Sequence, residues 1–96
     1  MDPNEIKQVI DLCKASGTRR VALFGSFARG DAGPDSDVDL LVEFSRPTGF
    51  LELVRLEREL SNILGRRVDL LTEAAISPHL RARILEEQQV LYEAAG

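Results

Sequence analysis

Two aspartates with one residue between them, Asp37 and Asp39, are the pair in this sequence best suited to chemistry. A strand is predicted over residues 37–44, and positions i and i+2 of a strand face the same side, about 6.6 Å apart. Burying two like charges together is costly unless a cation lies between them, and Mg²⁺ prefers such hard oxygen ligands. The spacing therefore predicts a Mg²⁺ site, with a solvated pair at a strand start as the ordinary alternative.

The dipeptide Gly25-Ser26 follows a short apolar run, residues 20–24, which predicts a buried strand. A glycine and a serine at a turn from strand to helix let the backbone approach a phosphate closely, while the hydroxyl and the first helical amides supply donors. Beside the two aspartates, this turn would hold the β and γ phosphates of a nucleoside triphosphate. Taken alone, the dipeptide indicates only a turn.

A third carboxylate, Asp69, interrupts an apolar segment that is predicted as a strand over residues 68–71. An aspartate within a buried strand needs a reason. If this strand lies next to residues 37–44, Asp69 completes a three-carboxylate cluster that can hold a second metal ion and help to deprotonate an attacking hydroxyl. The alternative is an aspartate near the strand edge that faces water.

The elements that position these side chains are predicted from hydrophobic spacing and turn-forming residues. Asp2 and Glu5 have the spacing of a capping box for the first helix, and Cys13 lies on its apolar face as a core residue. The helix at 50–64 is expected to bury positions 50, 53, 56, 60 and 63 or 64. The predicted helices are 3–15, 26–29, 50–64 and 78–88, and the predicted strands are 20–24, 37–44, 68–71 and 90–92. This order implies an α/β (α+β) fold with one small sheet, formed by residues 1–96 as a single domain.

Charge and composition indicate which classes of partner and which compartment the protein is suited to. The net charge of −4 disfavours a surface that neutralises many nucleic-acid phosphates, so direct nucleic-acid binding is not expected. The single cysteine has no internal disulfide partner, which fits a reducing compartment. No stretch approaches the roughly 20 apolar residues that span a bilayer. We therefore expect a cytoplasmic protein without a membrane partner, and the pairs Arg19-Arg20 and Arg66-Arg67 as solvated strand ends.

Gly25-Ser26, ten intervening positions and Asp37-Val38-Asp39 resemble the Gly-Ser-x10-Asp-x-Asp motif of the polymerase β-like nucleotidyltransferase superfamily. The wider runs at 23–30 and 36–42 are similar to the minimal nucleotidyltransferase (MNT) proteins, and residues 67–71 fall where that family has its third carboxylate. The resemblance implies a mixed sheet flanked by helices. It also implies Asp37 and Asp39 as metal ligands and Asp69 as the third acid.

Further implications concern the substrates. The resemblance makes Gly25 and Ser26 the phosphate-binding pair, and adds Ser36 and Arg29 as nucleotide-binding candidates, although Arg29 alone reads equally well as a solvated arginine. It implies two Mg²⁺ ions, with ATP as the donor. The family includes antitoxins encoded beside HEPN-domain toxins, and the resemblance implies that such a toxin is silenced by adenylylation of one of its tyrosines. Two alternatives stay open: an antitoxin that inhibits by binding alone, and nucleotidyl transfer to a small hydroxylated molecule.

Overall fold

The computed structural model describes residues 1–95, which form four helices, four strands and one 3-10 turn. The helices are α1 (Pro3–Ala15), α2 (Ser26–Arg29), α3 (Phe50–Leu64) and α4 (Pro78–Glu87), with the 3-10 turn at Glu73–Ala75. The strands are β1 (Thr18–Phe24), β2 (Val38–Phe44), β3 (Val68–Thr72) and β4 (Gln89–Glu93). The helices at 3–15, 26–29 and 50–64 have the predicted bounds.

The four strands form one mixed sheet in the order β3-β2-β1-β4. β1 pairs antiparallel with both β2 and β4, whereas β2 and β3 run parallel. The predicted α/β (α+β) class with a small mixed sheet flanked by helices is confirmed. β2 and β3, which carry Asp39 and Asp69, are neighbours, so the strand adjacency on which the prediction for Asp69 depended is present.

Helix α1 begins at the predicted capping box. The Asp2 carboxylate accepts from the Glu5 amide at 2.8 Å, and the Glu5 carboxylate accepts from the Asp2 amide at 3.1 Å. This exchange satisfies two of the amides that every helix leaves without an internal partner at its start. Val9 and Cys13 lie in the core, and burial raises the pKa of the Cys13 thiol to about 12. The prediction of a core cysteine is confirmed.

Helix α3 covers the sheet with one leucine stripe. Leu56, Leu60 and Leu64 are buried against the core, and Leu53 packs beside them. The predicted burial is wrong at Phe50, which is 76 % exposed. Phe50 is the first helical residue, ahead of the turn at which the helix meets the core, so the hydrophobic period alone overstates the buried face.

Strand β4 covers one edge of β1 and corrects the prediction for Arg20. The side chain of Arg20 is only 16 % exposed, and its Nε donates to the Glu93 carboxylate at 3.0 Å and its Nη2 to the side-chain oxygen Oε1 of Gln88 at 3.1 Å. The guanidinium therefore joins the residue that precedes β4 to the last residue of that strand. Among residues 1–95, no helix is both long and apolar enough to cross a bilayer.

Candidate active site

Gly25 forms the turn between β1 and α2, in a backbone conformation that only glycine adopts easily. Its φ of 72° and ψ of −150° lie in a region essentially closed to residues with a Cβ. The Arg29 amide donates to the Gly25 carbonyl at 3.1 Å, which closes the single turn of α2. The predicted strand-turn-helix around Gly25-Ser26 is therefore present.

The same glycine lies directly against Asp39. In the antiparallel pairing of β1 with β2, Phe24 is opposite Asp39, so the turn that follows Phe24 passes over that carboxylate. A Cβ added to Gly25 would lie 3.2 Å from Asp39 Cγ and would overlap Oδ2. From the sequence, the glycine at this position was explained by the close approach of a phosphate. The structure gives a second explanation, because the Asp39 carboxylate occupies the space that a Cβ would need.

The three aspartates lie close together. Asp39 and Asp69 are register partners in the parallel pairing of β2 with β3, so they are side by side on adjacent strands. Asp37 is just before β2, because the ladder begins where the Val38 amide donates to the Arg67 carbonyl at 2.9 Å. The predicted strand thus starts one residue later than expected, and Asp37 approaches Asp39 from the loop.

The surroundings of Asp39 disfavour its ionisation. Its pKa is raised, first by burial and then by the charges of Asp69 and Asp37, while the Arg29 charge lowers it. A cation bound near these negative charges would offset their repulsion and favour the ionised form of Asp39. Carboxylate oxygens are also the donors that Mg²⁺ takes, so the residues present fit that ion.

The carboxylates do not form a ready three-ligand cage. Within residues 1–95, no group of three or more His, Cys, Asp or Glu side chains is arranged to bind one ion. Asp69 instead faces Arg67, whose Nε lies 3.4 Å from its Oδ1. A site of this kind suits Mg²⁺, which commonly takes one or two carboxylates together with water and substrate phosphates.

Side chains of α3 hold the strand that bears Asp69. β3 is an edge strand, and the amides of Val68 and Leu70 donate to side chains rather than to a further strand. Ser61 Oγ accepts from Val68 at 3.1 Å, and the Glu57 carboxylate accepts from Leu70 at 2.9 Å. These two bonds flank Asp69 and fix its position beside Asp39. The sequence did not predict this role for either residue.

A cleft of about 320 Å³ opens over the Gly25-Ser26 turn. One wall contains Gly25, Ser26 and Asp39, and the other is formed by α4, including Leu80, Arg83 and Glu87. The sequence did not place α4 at the site. Arg83 and Glu87, four residues apart on a helix, were the available signal, but that spacing is common on solvated helices.

Of the two further nucleotide-binding candidates, the structure brings only Arg29 to the cleft. Its guanidinium donates to Asp31 and to Glu87, both at 3.2 Å. Ser36 lies in the loop before Asp37, where its Oγ accepts from the Gly33 amide at 2.8 Å. Ser36 stabilises this loop, and its contact with a nucleotide stays a prediction.

The chain is similar in sequence to known proteins over most of its length. The sequence profile described as "Nucleotidyltransferase domain" matches residues 6–91. A provisionally named protein adenylyltransferase of Methanocaldococcus jannaschii is 46% identical over 88 residues, which cover 91% of this chain and 95% of that protein. Protein adenylyltransferase MntA of Thermococcus cleftensis is 38% identical over 77 residues, covering 80% of this chain and 78% of MntA.

Two solved structures have the same fold. A provisionally named minimal nucleotidyltransferase superposes with a TM-score of 0.80 and 42% identity, covering 90% of this chain and 88% of that one. The complex of a tri-AMPylated Shewanella oneidensis HEPN toxin with an MNT antitoxin contains a chain that matches with a TM-score of 0.79. That match has 20% identity and covers 98% of this chain and 74% of the other. At that identity, the second likeness concerns the fold alone.

Proposed function

The chain belongs to the nucleotidyltransferase domain family, and on this basis we propose that it is a Mg²⁺-dependent protein adenylyltransferase that transfers AMP from ATP to a protein hydroxyl. The observation that carries the proposal is the position of Asp39. Its carboxylate lies against the Gly25 turn, beside Asp69 and at the wall of the cleft. Phosphates in this cleft would lie within reach of both the carboxylates and the Ser26 hydroxyl.

The metal ligands in this proposal are Asp37 and Asp39, with Asp69 as the third acid for a second ion. Bound Mg²⁺ would supply positive charge that polarises the phosphate oxygens and offsets the repulsion among the carboxylates. The Ser26 hydroxyl donates a hydrogen bond to a phosphate oxygen. Arg29 adds a positive charge at the cleft wall, and Ser36 would act through the loop that it stabilises.

The proposed transfer is a single displacement at the α-phosphorus. The acceptor hydroxyl gives its proton to the Asp69 carboxylate, and its oxygen forms a bond to the α-phosphorus of ATP. The bond from that phosphorus to the oxygen that bridges to the β-phosphate breaks, and pyrophosphate leaves with the electron pair. The protein positions the acceptor hydroxyl and ATP and removes one proton, as is usual for phosphoryl-type transfer.

We further propose that the acceptor is a tyrosine of a HEPN-domain toxin, and that the chain acts as its antitoxin. Two observations support this acceptor. The curated relatives carry the name protein adenylyltransferase, and a chain of the same fold occurs in the complex of the AMPylated HEPN toxin. The net charge of −4 also fits a protein acceptor better than a nucleic acid.

Intact-mass spectrometry of a co-expressed HEPN partner tests the proposal. We expect the partner to gain one or more AMP units with the wild-type chain and none with Asp39→Asn. Asp35→Asn is the matched control, because Asp35 is an exposed residue of the loop that leads to the site. It should leave the modification unchanged.

Two other results would replace the proposal. A partner that stays unmodified but binds tightly would favour inhibition by binding alone. Transfer of AMP to a small hydroxylated compound, with the partner unmodified, would favour the small-molecule alternative. A modified partner with Asp39→Asn would remove Asp39 from the catalytic set.

A further inference from the structure

Helix α4 forms the cleft wall that faces the Gly25-Ser26 turn, and it contributes a second arginine. Arg83 lines the cleft together with Ser26, Arg29 and Asp39. We propose that Arg83 binds the phosphate chain of the nucleotide. This inference rests on the proposed function, since it concerns the same nucleotide.

The site has a high negative charge once a triphosphate is bound, and more than one positive group is needed to balance it. Asp39 lies in the cleft wall, with Asp69 beside it and Asp37 near enough to raise its pKa. A triphosphate brings further negative charge to the same space. The cationic side chains that line this cleft in the described chain are Arg29 and Arg83. A guanidinium group matches two phosphate oxygens at once, which an ammonium group does not.

The two arginines differ in how firmly they are held. Arg29 has two carboxylate partners, Asp31 and Glu87, each at 3.2 Å. Arg83 has a single longer contact, 3.6 Å from Nε to the Glu87 carboxylate, and its side chain is 72% exposed. An exposed ion pair of this kind adds little to stability. Arg83 can therefore exchange its contact with Glu87 for a phosphate at a small cost in free energy. Arg29 would have to give up two ion pairs to do the same.

Glu87 contacts both arginines. Its carboxylate is 3.2 Å from Arg29 Nη1 and 3.6 Å from Arg83 Nε, with its side chain 26% exposed. Residues four apart on a helix are surface neighbours, which fixes Arg83 beside Glu87. The resulting chain of contacts runs from α2 to α4 along the cleft, so phosphates bound at Ser26 meet Arg83 on the opposite wall.

Isothermal titration calorimetry with Mg²⁺ and two nucleotides tests this assignment. One is α,β-methylene-ATP, which cannot be cleaved at the bond broken in AMP transfer, and the other is AMP. Arg83→Ala should weaken the triphosphate analogue about tenfold, equivalent to about 1.4 kcal/mol, and AMP by much less. Arg83→Lys should lose only part of that affinity. Arg81→Ala is the matched control, because Arg81 is exposed on the same helix and lies outside the cleft lining, and it should bind as wild type.

The outcomes separate this inference from the proposed function. If the wild type binds the triphosphate analogue and Arg83→Ala binds it equally well, Arg83 is not a phosphate ligand. Equal weakening of the analogue and of AMP would also refute the assignment, since it would indicate a contact to the nucleoside or a general loss of structure. If the wild type binds neither nucleotide, the proposed function fails and this inference fails with it.

Discussion

Replacing Gly25 by alanine should destabilise the fold through two separable effects. The first is backbone strain, because the φ and ψ of Gly25 lie in a region that costs a residue with a Cβ about 1–3 kcal/mol. The second is the overlap of the new methyl group with the Asp39 carboxylate, 3.2 Å from Cγ and closer to Oδ2. Overpacking of this kind costs about 1–3 kcal/mol. We therefore expect Gly25→Ala to lower the free energy of unfolding by roughly 2–6 kcal/mol.

Two comparisons isolate these effects in urea unfolding followed by circular dichroism. Gly30→Ala is the strain control, because Gly30 has a φ of 81° and nothing within 4 Å of an added Cβ. It should cost only about 1–2 kcal/mol. Asp39→Ala removes the overlapping atoms and leaves Asp39 Cβ 3.5 Å from the new methyl, an ordinary contact.

A double-mutant cycle then measures the overlap directly. In the Asp39→Ala background, Gly25→Ala should cost only its strain, so the coupling between the two sites should be about 1–3 kcal/mol. The same destabilisation in both backgrounds would refute the close approach of the turn to the carboxylate. It would also remove the structural reason for glycine at this position.

Three further predictions concern charge, burial and the edge strand. The raised pKa of Asp39 means that the folded state keeps its proton at pH values where the unfolded chain has released it, so stability should fall as the pH rises from the ordinary value of 3.8 through the raised value. Asp39→Asn should flatten this dependence in metal-free urea titrations, and Mg²⁺ should raise the melting temperature of the wild type but not of this variant. With a pKa of about 12, the Cys13 thiol should react with a disulfide reagent at pH 8 only at the rate of unfolding, so rapid labelling of the folded protein would contradict its burial. Glu57→Ala should cost about 1–3 kcal/mol, because the Leu70 amide loses its acceptor, whereas Glu57→Gln retains a carbonyl oxygen and should cost clearly less.

How far the sequence determines this site depends on the range of the interactions involved. α1 begins at a capping box and α3 ends at Gly65 in the left-handed conformation, so local signals were enough for their bounds. The Asp37-x-Asp39 spacing and the Gly25-Ser26 turn are also local. The pairing of Asp39 with Asp69 was predicted only conditionally, because the parallel neighbour of a strand depends on the whole sheet.

The features missed at the site and at Arg20 come from contacts between residues distant in sequence. Arg29 and Glu87 are 58 positions apart, and Arg20 and Glu93 are 73 apart. No periodicity in the sequence specifies that α4 folds back over the Gly25 turn, or that Glu57 bonds to a strand amide 13 positions later. Burial of a charged side chain, as at Arg20, depends on the same packing and was predicted wrongly for that reason.

The contacts around Asp39 hold its carboxylate where burial and neighbouring negative charges disfavour its ionisation. Two adjacent strands bring Asp39 and Asp69 into register, although burial and the negative charge of Asp69 disfavour the ionisation of Asp39 that metal binding would require. A free chain would relieve this repulsion by moving the strands or rotating the carboxylates. Gly25 allows the turn to lie against Asp39, and the Glu57 bond holds β3 in place, so the repulsion stays in the folded protein. A cation and a phosphate chain that enter the cleft would then meet carboxylates that are already side by side, because the cost of bringing the acids together is met by folding rather than by binding.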